Sequence, residues 1–197
     1  SINDSHHADS REYLLDLPGY YQTKNLLTVL ESVHQLQQAG WNISREALHD
    51  GLKHARRQTG LHGRWETLHR KPLIIADVAH NPDGMKQVTG QLEWMSYRHL
   101  HVVLGMVKDK DVEKVLALLP TAARYYFTQA SVPRALASDQ LQALGLQYNL
   151  AGRAYPDVHG ALQAAADNAD EDDMILVCGS VFLVGEVDVD KIRFSGR

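Results

Sequence analysis

A single cysteine, Cys178, stands in the 197-residue sequence, so no internal disulfide is available. Its place at the end of the apolar run Met-Ile-Leu-Val-Cys, residues 174–178, suits a small core side chain rather than a nucleophile. Long hydrophobic stretches are also missing. The longest runs, such as 174–178, are far too short to cross a bilayer, and the amino terminus shows no basic start followed by an apolar run. The expectation is a soluble, cytoplasmic protein without a membrane partner. Excess charge of either sign is absent as well. Twenty Lys and Arg against 24 Asp and Glu leave a net charge of −4, and outside residues 53–57 the basic side chains are scattered. That pattern argues against nucleic acid. The eleven histidines fall without H-x-x-x-H or H-E-x-x-H spacing, so no dedicated metal site is indicated. No G-x-G-x-x-G fingerprint appears, which counts against a dinucleotide binder.

What is present is an ordinary globular composition, 44% apolar, enough for one good core and an accessory layer. The chain changes character near Gly63. Before it, residues 1–11 read as a frayed end, 13–17 as a short strand closed by Pro18-Gly19, and 23–39 as a helix with Leu26, Leu27, Leu30, Val33 and Leu36 at helical spacing. Ser44 can cap a second helix carrying Ala47, Leu48 and Leu52, and 56–60 reads as a basic linker. After it, strands over 65–68, 73–77, 102–106, 124–128, 153–155 and 174–178 alternate with helices over 82–95, 110–119, 138–144, 157–169 and 180–187. Such alternation predicts an α/β fold: a Rossmann-like, mostly parallel six-stranded sheet with helices on both faces. Ligands then bind beyond the carboxyl ends of the strands.

Three strand exits carry the chemistry. In I-I-A-D-V-A-H-N-P-D, residues 74–83, an apolar strand runs into a polar turn and a proline-started helix. Asp77 sits where the strand ends. Its carboxylate can accept two hydrogen bonds from ribose hydroxyls, or it can cap the turn. His80 can position a phosphate or donate to a nearby carbonyl and order the turn. Asn81, driven toward extended backbone by Pro82, suits a helix cap. The second exit is G-M-V-K-D-K-D, 105–111, where glycine allows a tight turn and Asp111 fits a solvated cap; the third is C-G-S-V-F-L-V-G-E-V, 178–187.

Together with L-P-G-Y-Y-Q-T-K-N at 17–25, similar to a G-x-x-Q-x-x-N helix start, and G-R-W-E at 63–66, these exits resemble the carboxyl-terminal part of the folylpolyglutamate synthase/dihydrofolate synthase family of the Mur ligase superfamily. One departure is Val78, where that family has glycine. The resemblance implies that residues 1–62 are the helical end of a central ATPase domain and its linker, and that 63–197 form the glutamate-ligase domain, with Gly63 at the hinge. It also implies an enzyme that joins L-glutamate to a folate or dihydropteroate carboxylate through an acyl phosphate, with ATP and Mg2+.

The phosphate-binding loop G-x-x-G-K-[ST] is not in the chain, nor are the metal ligands that accompany it. The fragment alone is therefore expected to be inactive, with an N-terminal ATPase domain as its partner and a monomeric state. By the same resemblance Asn25, helped by Gln22, contacts the adenine side of ATP, and Arg64 reaches the phosphates, where a guanidinium matches the oxygens and offsets developing charge. Asp77 holds the ribose. By looser analogy, Lys108 and Ser180 receive the carboxylates of the incoming glutamate, with Lys108 and His80 beside Arg64 as catalytic groups. Two other readings stand: a different Mur-type amino-acid ligase, or a stand-alone Rossmann-like binding module.

Overall fold

The computed structural model describes residues 12–108 and 111–194, so the segments 1–11 and 195–197 and the pair Asp109 and Lys110 lie outside the described residues. The chain divides into two compact units, Ser1–Arg64 and Trp65–Arg197.

Among its described residues the first unit holds three helices, α1 (Gln22–Gln38), α2 (Arg45–Lys53) and α3 (Ala55–Thr59). Ser44 caps α2, its hydroxyl accepting from the Ala47 N–H at 3.1 Å. Residues 13–17 do not form the expected strand. A strand exists only through a ladder partner, and what fixes this stretch instead is Asp16, whose carboxylate accepts the Arg56 N–H at 3.0 and 3.1 Å. That contact ties down the first turn of α3, a helix standing where a linker was expected. Gly60 ends it in the left-handed conformation, φ 66°. The apolar stripe of α1 is only partly covered within the unit: Leu26 is buried, whereas Leu27 and Leu36 are exposed.

The second unit is an α/β domain around a six-stranded sheet of order β1-β2-β6-β3-β4-β5, with strands β1 (Glu66–Arg70), β2 (Leu73–Asp77), β3 (Leu100–Leu104), β4 (Arg124–Phe127), β5 (Gly152–Ala154) and β6 (Met174–Cys178). All neighbours are parallel except β1 and β2, which form an antiparallel pair at one edge. Strand periodicity sorts the side chains. Ile75, Val102, Leu104, Tyr125, Phe127, Leu176 and Cys178 face α4 (Pro82–Leu92), α5 (Val112–Leu116) and α6 (Ser138–Gln147). Ile74, Ala76, Val103, Tyr126, Ile175 and Val177 face α7 (Val158–Asn168) and α8 (Val181–Gly185).

Helices therefore cover both faces, which explains why β6 reads as an unbroken apolar run: each of its five residues is fully buried. At roughly 1.5–3 kcal/mol for each large apolar side chain taken out of water, these inner strands carry much of the domain's stability.

Candidate functional site

The parallel register brings three strand exits side by side. Asp77 on β2 pairs in register with Cys178 on β6, and Cys178 with Leu104 on β3. Beyond them the Gly179 N–H donates to the Ala79 carbonyl at 3.0 Å and the Gly105 N–H to the Cys178 carbonyl at 3.3 Å. Backbones approach so closely here that side chains are excluded. A Cβ on Gly179, which holds φ at 109°, would lie 2.6 Å from the Gly105 carbonyl oxygen, and a Cβ on Gly105 would strike Leu183.

At the first exit Asp77 is buried, with 1% exposure. Its Oδ1 accepts the Ala79 N–H and its Oδ2 the Trp65 N–H, both at 2.9 Å. Asp77 thus orders the turn and the start of β1 at once. His80 lies within 2.9 Å, through Nδ1, of the Val78 carbonyl. A carbonyl only accepts, so Nδ1 carries the proton and Nε2 is the acceptor in the neutral ring. Asn81 caps α4, its Oδ1 accepting the Gly84 N–H at 2.8 Å with Pro82 following in the first turn.

At the third exit Cys178 is fully buried, and burial, with the negative charge of Asp77, pushes its thiol above the ordinary value. It is inert as a nucleophile. Ser180, 3% exposed, caps α8, its hydroxyl accepting the Phe182 N–H at 3.1 Å. At the second exit Lys108 is exposed, and its N–H donates to the Arg134 carbonyl at 3.0 Å. An antiparallel bridge of Val107 with Ala135, and the Leu136 N–H on the Met106 carbonyl at 2.8 Å, complete this small ladder.

Arg134 is a residue the sequence reading missed. Its guanidinium carbon lies 5.5 Å from the centre of the Phe182 ring. A Pro-Arg pair in the loop after a strand on the ligand edge was the signal.

Thus the second unit brings Asp77, His80, Lys108 and Ser180 to one edge of its sheet. In the first unit, Asn25 is exposed in the opening turn of α1 and donates through Nδ2 to Oε1 of Gln22 at 2.8 Å; the Gln22 Nε2 is buried and without a hydrogen-bond partner. Arg64 is half-buried, immediately before Trp65, whose φ is 53°. Among the described residues no group of three His, Cys, Asp or Glu is placed to hold a metal ion. No described helix is long and apolar enough to cross a membrane.

A doubly covered, mostly parallel sheet whose tight glycine exits carry polar and cationic side chains defines an α/β ligand-binding domain of the Rossmann-like kind. Residues 63–181 match the family model described as "Mur ligase, glutamate ligase domain", and the chain belongs to that family. The dihydrofolate synthase/folylpolyglutamate synthase of Escherichia coli is 32% identical over 82% of this chain and 37% of its own length. Among solved structures, E. coli FolC in complex with DHPP and ADP covers 92% of this chain and 41% of that one, at 29% identity and a TM-score of 0.71. A bifunctional folylpolyglutamate synthase/dihydrofolate synthase with Mn, AMPPNP and L-glutamate bound covers 87% and 39%, at 28% identity and a TM-score of 0.69. The chain therefore spans about two fifths of the length of these relatives.

Proposed function

We propose that this chain is the amino-acid-receiving part of an ATP-dependent ligase that adds L-glutamate to a folate or dihydropteroate carboxylate. The observation that carries the reading is the match to a glutamate-ligase domain whose ligand edge presents Lys108, Arg134 and Ser180 around the exits of β3, β4 and β6.

The chemistry runs in two steps. The acceptor carboxylate takes the γ-phosphoryl group of ATP, releasing ADP and forming an acyl phosphate. The glutamate amine then attacks the acyl carbon, loses a proton, and inorganic phosphate leaves with the C–O bond electrons. Little covalent work falls to the protein, so positioning and charge stabilisation dominate. Lys108 supplies a cation, a point charge, for the glutamate carboxylates. His80, with Nε2 as acceptor, is suited to hold a proton near the reacting groups.

On the nucleotide, Asn25 offers an amide to adenine, Arg64 a guanidinium to phosphate, and Asp77 a carboxylate to ribose. Asp77 is buried, so ribose binding requires exposure of its carboxylate. Magnesium ligands and the phosphate loop are assigned to an amino-terminal ATPase domain that partners this one. The same reading makes the ligase a cytoplasmic monomer.

The test is glutamate-dependent ADP release by the whole ligase with folate and dihydropteroate supplied in turn. Arg64→Ala should depress kcat by roughly 10²-fold, as loss of an electrostatic stabiliser does, while Asp77→Ala should act mainly on the KM for ATP. ADP release indifferent to glutamate would remove the ligase reading.

A further inference from the structure

Two side chains at the start of α1 are joined to each other. Gln22 and Asn25, three residues apart and therefore neighbours on one side of the helix, share a hydrogen bond in which Asn25 Nδ2 donates to Gln22 Oε1 at 2.8 Å. They differ in exposure. Gln22, the first residue of α1, is 4% exposed, and its own N–H donates to the Gly19 carbonyl at 2.9 Å. Asn25 lies at the surface. The Gln22 Nε2 is buried and finds no hydrogen-bond partner among the described residues. A buried polar group in that condition calls for an explanation, and the use of its amide as an acceptor for Asn25 supplies one.

An exposed asparagine has no fixed sense, because its amide can flip about χ2 and exchange donor for acceptor. Here the flip is opposed. It would set Asn25 Oδ1 against Gln22 Oε1, two acceptors face to face, and would leave a buried acceptor without its donor, which costs more than the loss of an exposed bond. One N–H of Asn25 is thus committed to Gln22, while Oδ1 and the second N–H remain for a ligand in a set order. Adenine carries an amino donor at position 6 beside a ring-nitrogen acceptor, and an asparagine reads that pair with both ends of its amide. A purine with a carbonyl at position 6 would oppose its oxygen to Oδ1. An asparagine able to flip would meet that carbonyl with its N–H instead.

We infer that Gln22 is a positioning residue: it fixes the sense of the Asn25 amide and so makes the nucleotide site prefer a 6-amino purine over a 6-oxo purine. This rests on the reading above that Asn25 meets adenine, and it adds to that reading the source of base selectivity.

The measurement is the ratio of kcat/KM for ATP to that for inosine triphosphate in the whole ligase, since the two bases differ only in the group at position 6 and the proton on the adjoining ring nitrogen. A ratio does not depend on how much enzyme is folded. Wild type should favour ATP, and Gln22→Met, similar in length but without the amide, should lower that preference about tenfold, the scale of one bidentate contact between an amide and a base. Gln22→Glu should keep the preference, because a carboxylate only accepts. That variant also separates this order from the reverse one, in which Gln22 donates. The KM for L-glutamate should stay near wild type in both. In this chain, one side-chain amide proton of Asn25 should exchange slowly by NMR, and faster in Gln22→Met.

Loss of the preference in Asn25→Ala beside its retention in Gln22→Met would overturn the positioning role and leave Asn25 on the base. An ATP KM and a preference both unchanged in Asn25→Ala would remove the adenine reading and the inference with it. Equal loss in Gln22→Met and Gln22→Glu, a wild-type enzyme indifferent to the two nucleotides, or Asn25 amide exchange equally fast with and without Gln22 would each overturn the inference as well.

Discussion

The backbone N–H of Trp65 is donated to Oδ2 of Asp77 at 2.9 Å while Trp65 holds φ at 53°. A bulky residue rarely accepts left-handed backbone, at a cost of order 1–3 kcal/mol, so the carboxylate secures a strained start to β1 as well as the turn to Ala79. Two backbone donors face two acceptor oxygens. Asp77→Asn puts an amide N–H against one of them and leaves a buried donor unmet. Unfolding of this chain in urea should show a loss of about 1–3 kcal/mol. Stability unchanged by Asp77→Asn would mean that these bonds do not hold the turn.

The glycine pair behind the β6 exit makes a second prediction. Gly179 combines φ of 109° with a hypothetical Cβ 2.6 Å from the Gly105 carbonyl oxygen, so Gly179→Ala suffers both backbone strain and a clash with main chain. The expected loss is about 2 kcal/mol or more, read as a fall in the denaturation midpoint. Gly185→Ala is the control, since a Cβ there meets nothing within 4 Å; an equal loss in both variants would refute the close-approach argument.

Asn81 allows a smaller and cleaner measurement. Its side chain caps α4 through the Gly84 N–H at 2.8 Å. Asn81→Ala should cost about 1 kcal/mol, and Asn81→Asp or Asn81→Ser should restore most of it, because either side chain still offers an oxygen to the same donor. Chemical denaturation of the three variants decides this. A substitution series without that ranking would show that the cap is not what Asn81 contributes.

Much of this arrangement was legible in the sequence because it is written locally. The buried strands announce themselves as apolar runs, and Asn81-Pro82 marks a helix start. What was not legible depends on partners distant in the chain. Residues 13–17 have the look of a strand, but a strand is defined by its neighbour, and Asp16 instead reaches Arg56. Helix α3 spans five residues, too few to display a period. Arg134 lies in an unremarkable loop until the β3 and β4 exits are joined by the Val107–Ala135 bridge. Asp77 was read as ribose acceptor or turn cap, but that its other oxygen reaches back to Trp65 follows only from the antiparallel pairing of β1 with β2.

The same distance hid a buried pair at the opposite end of the sheet. His101 on β3, 3% exposed, lies with Nδ1 3.0 Å from the Tyr126 hydroxyl and Nε2 3.5 Å from an Asp173 oxygen, the latter longer than a good hydrogen bond. Burial holds the imidazole below its ordinary value of 6.5; Asp173 opposes that shift, while Arg124 and His99 add to it. Asp173 is held below 3.8, because the N–H donors of Asp170 and His99, and His101 itself, outweigh its own burial. The signs then follow from linkage. A histidine with a depressed folded pKa remains neutral in the folded chain while its unfolded counterpart takes up a proton, so stability falls as pH drops below 6.5. Asp173 contributes in the other window: its stabilisation is fully present above 3.8 and is lost only as pH falls through its lower folded value. Between about pH 7 and 5 the loss therefore belongs to His101, not to Asp173. Melting temperature against pH should decline over that range in wild type and flatten in His101→Gln, with the His101 ring protons titrating below 6.5 by NMR. An undiminished slope in His101→Gln would assign the acid sensitivity to another group.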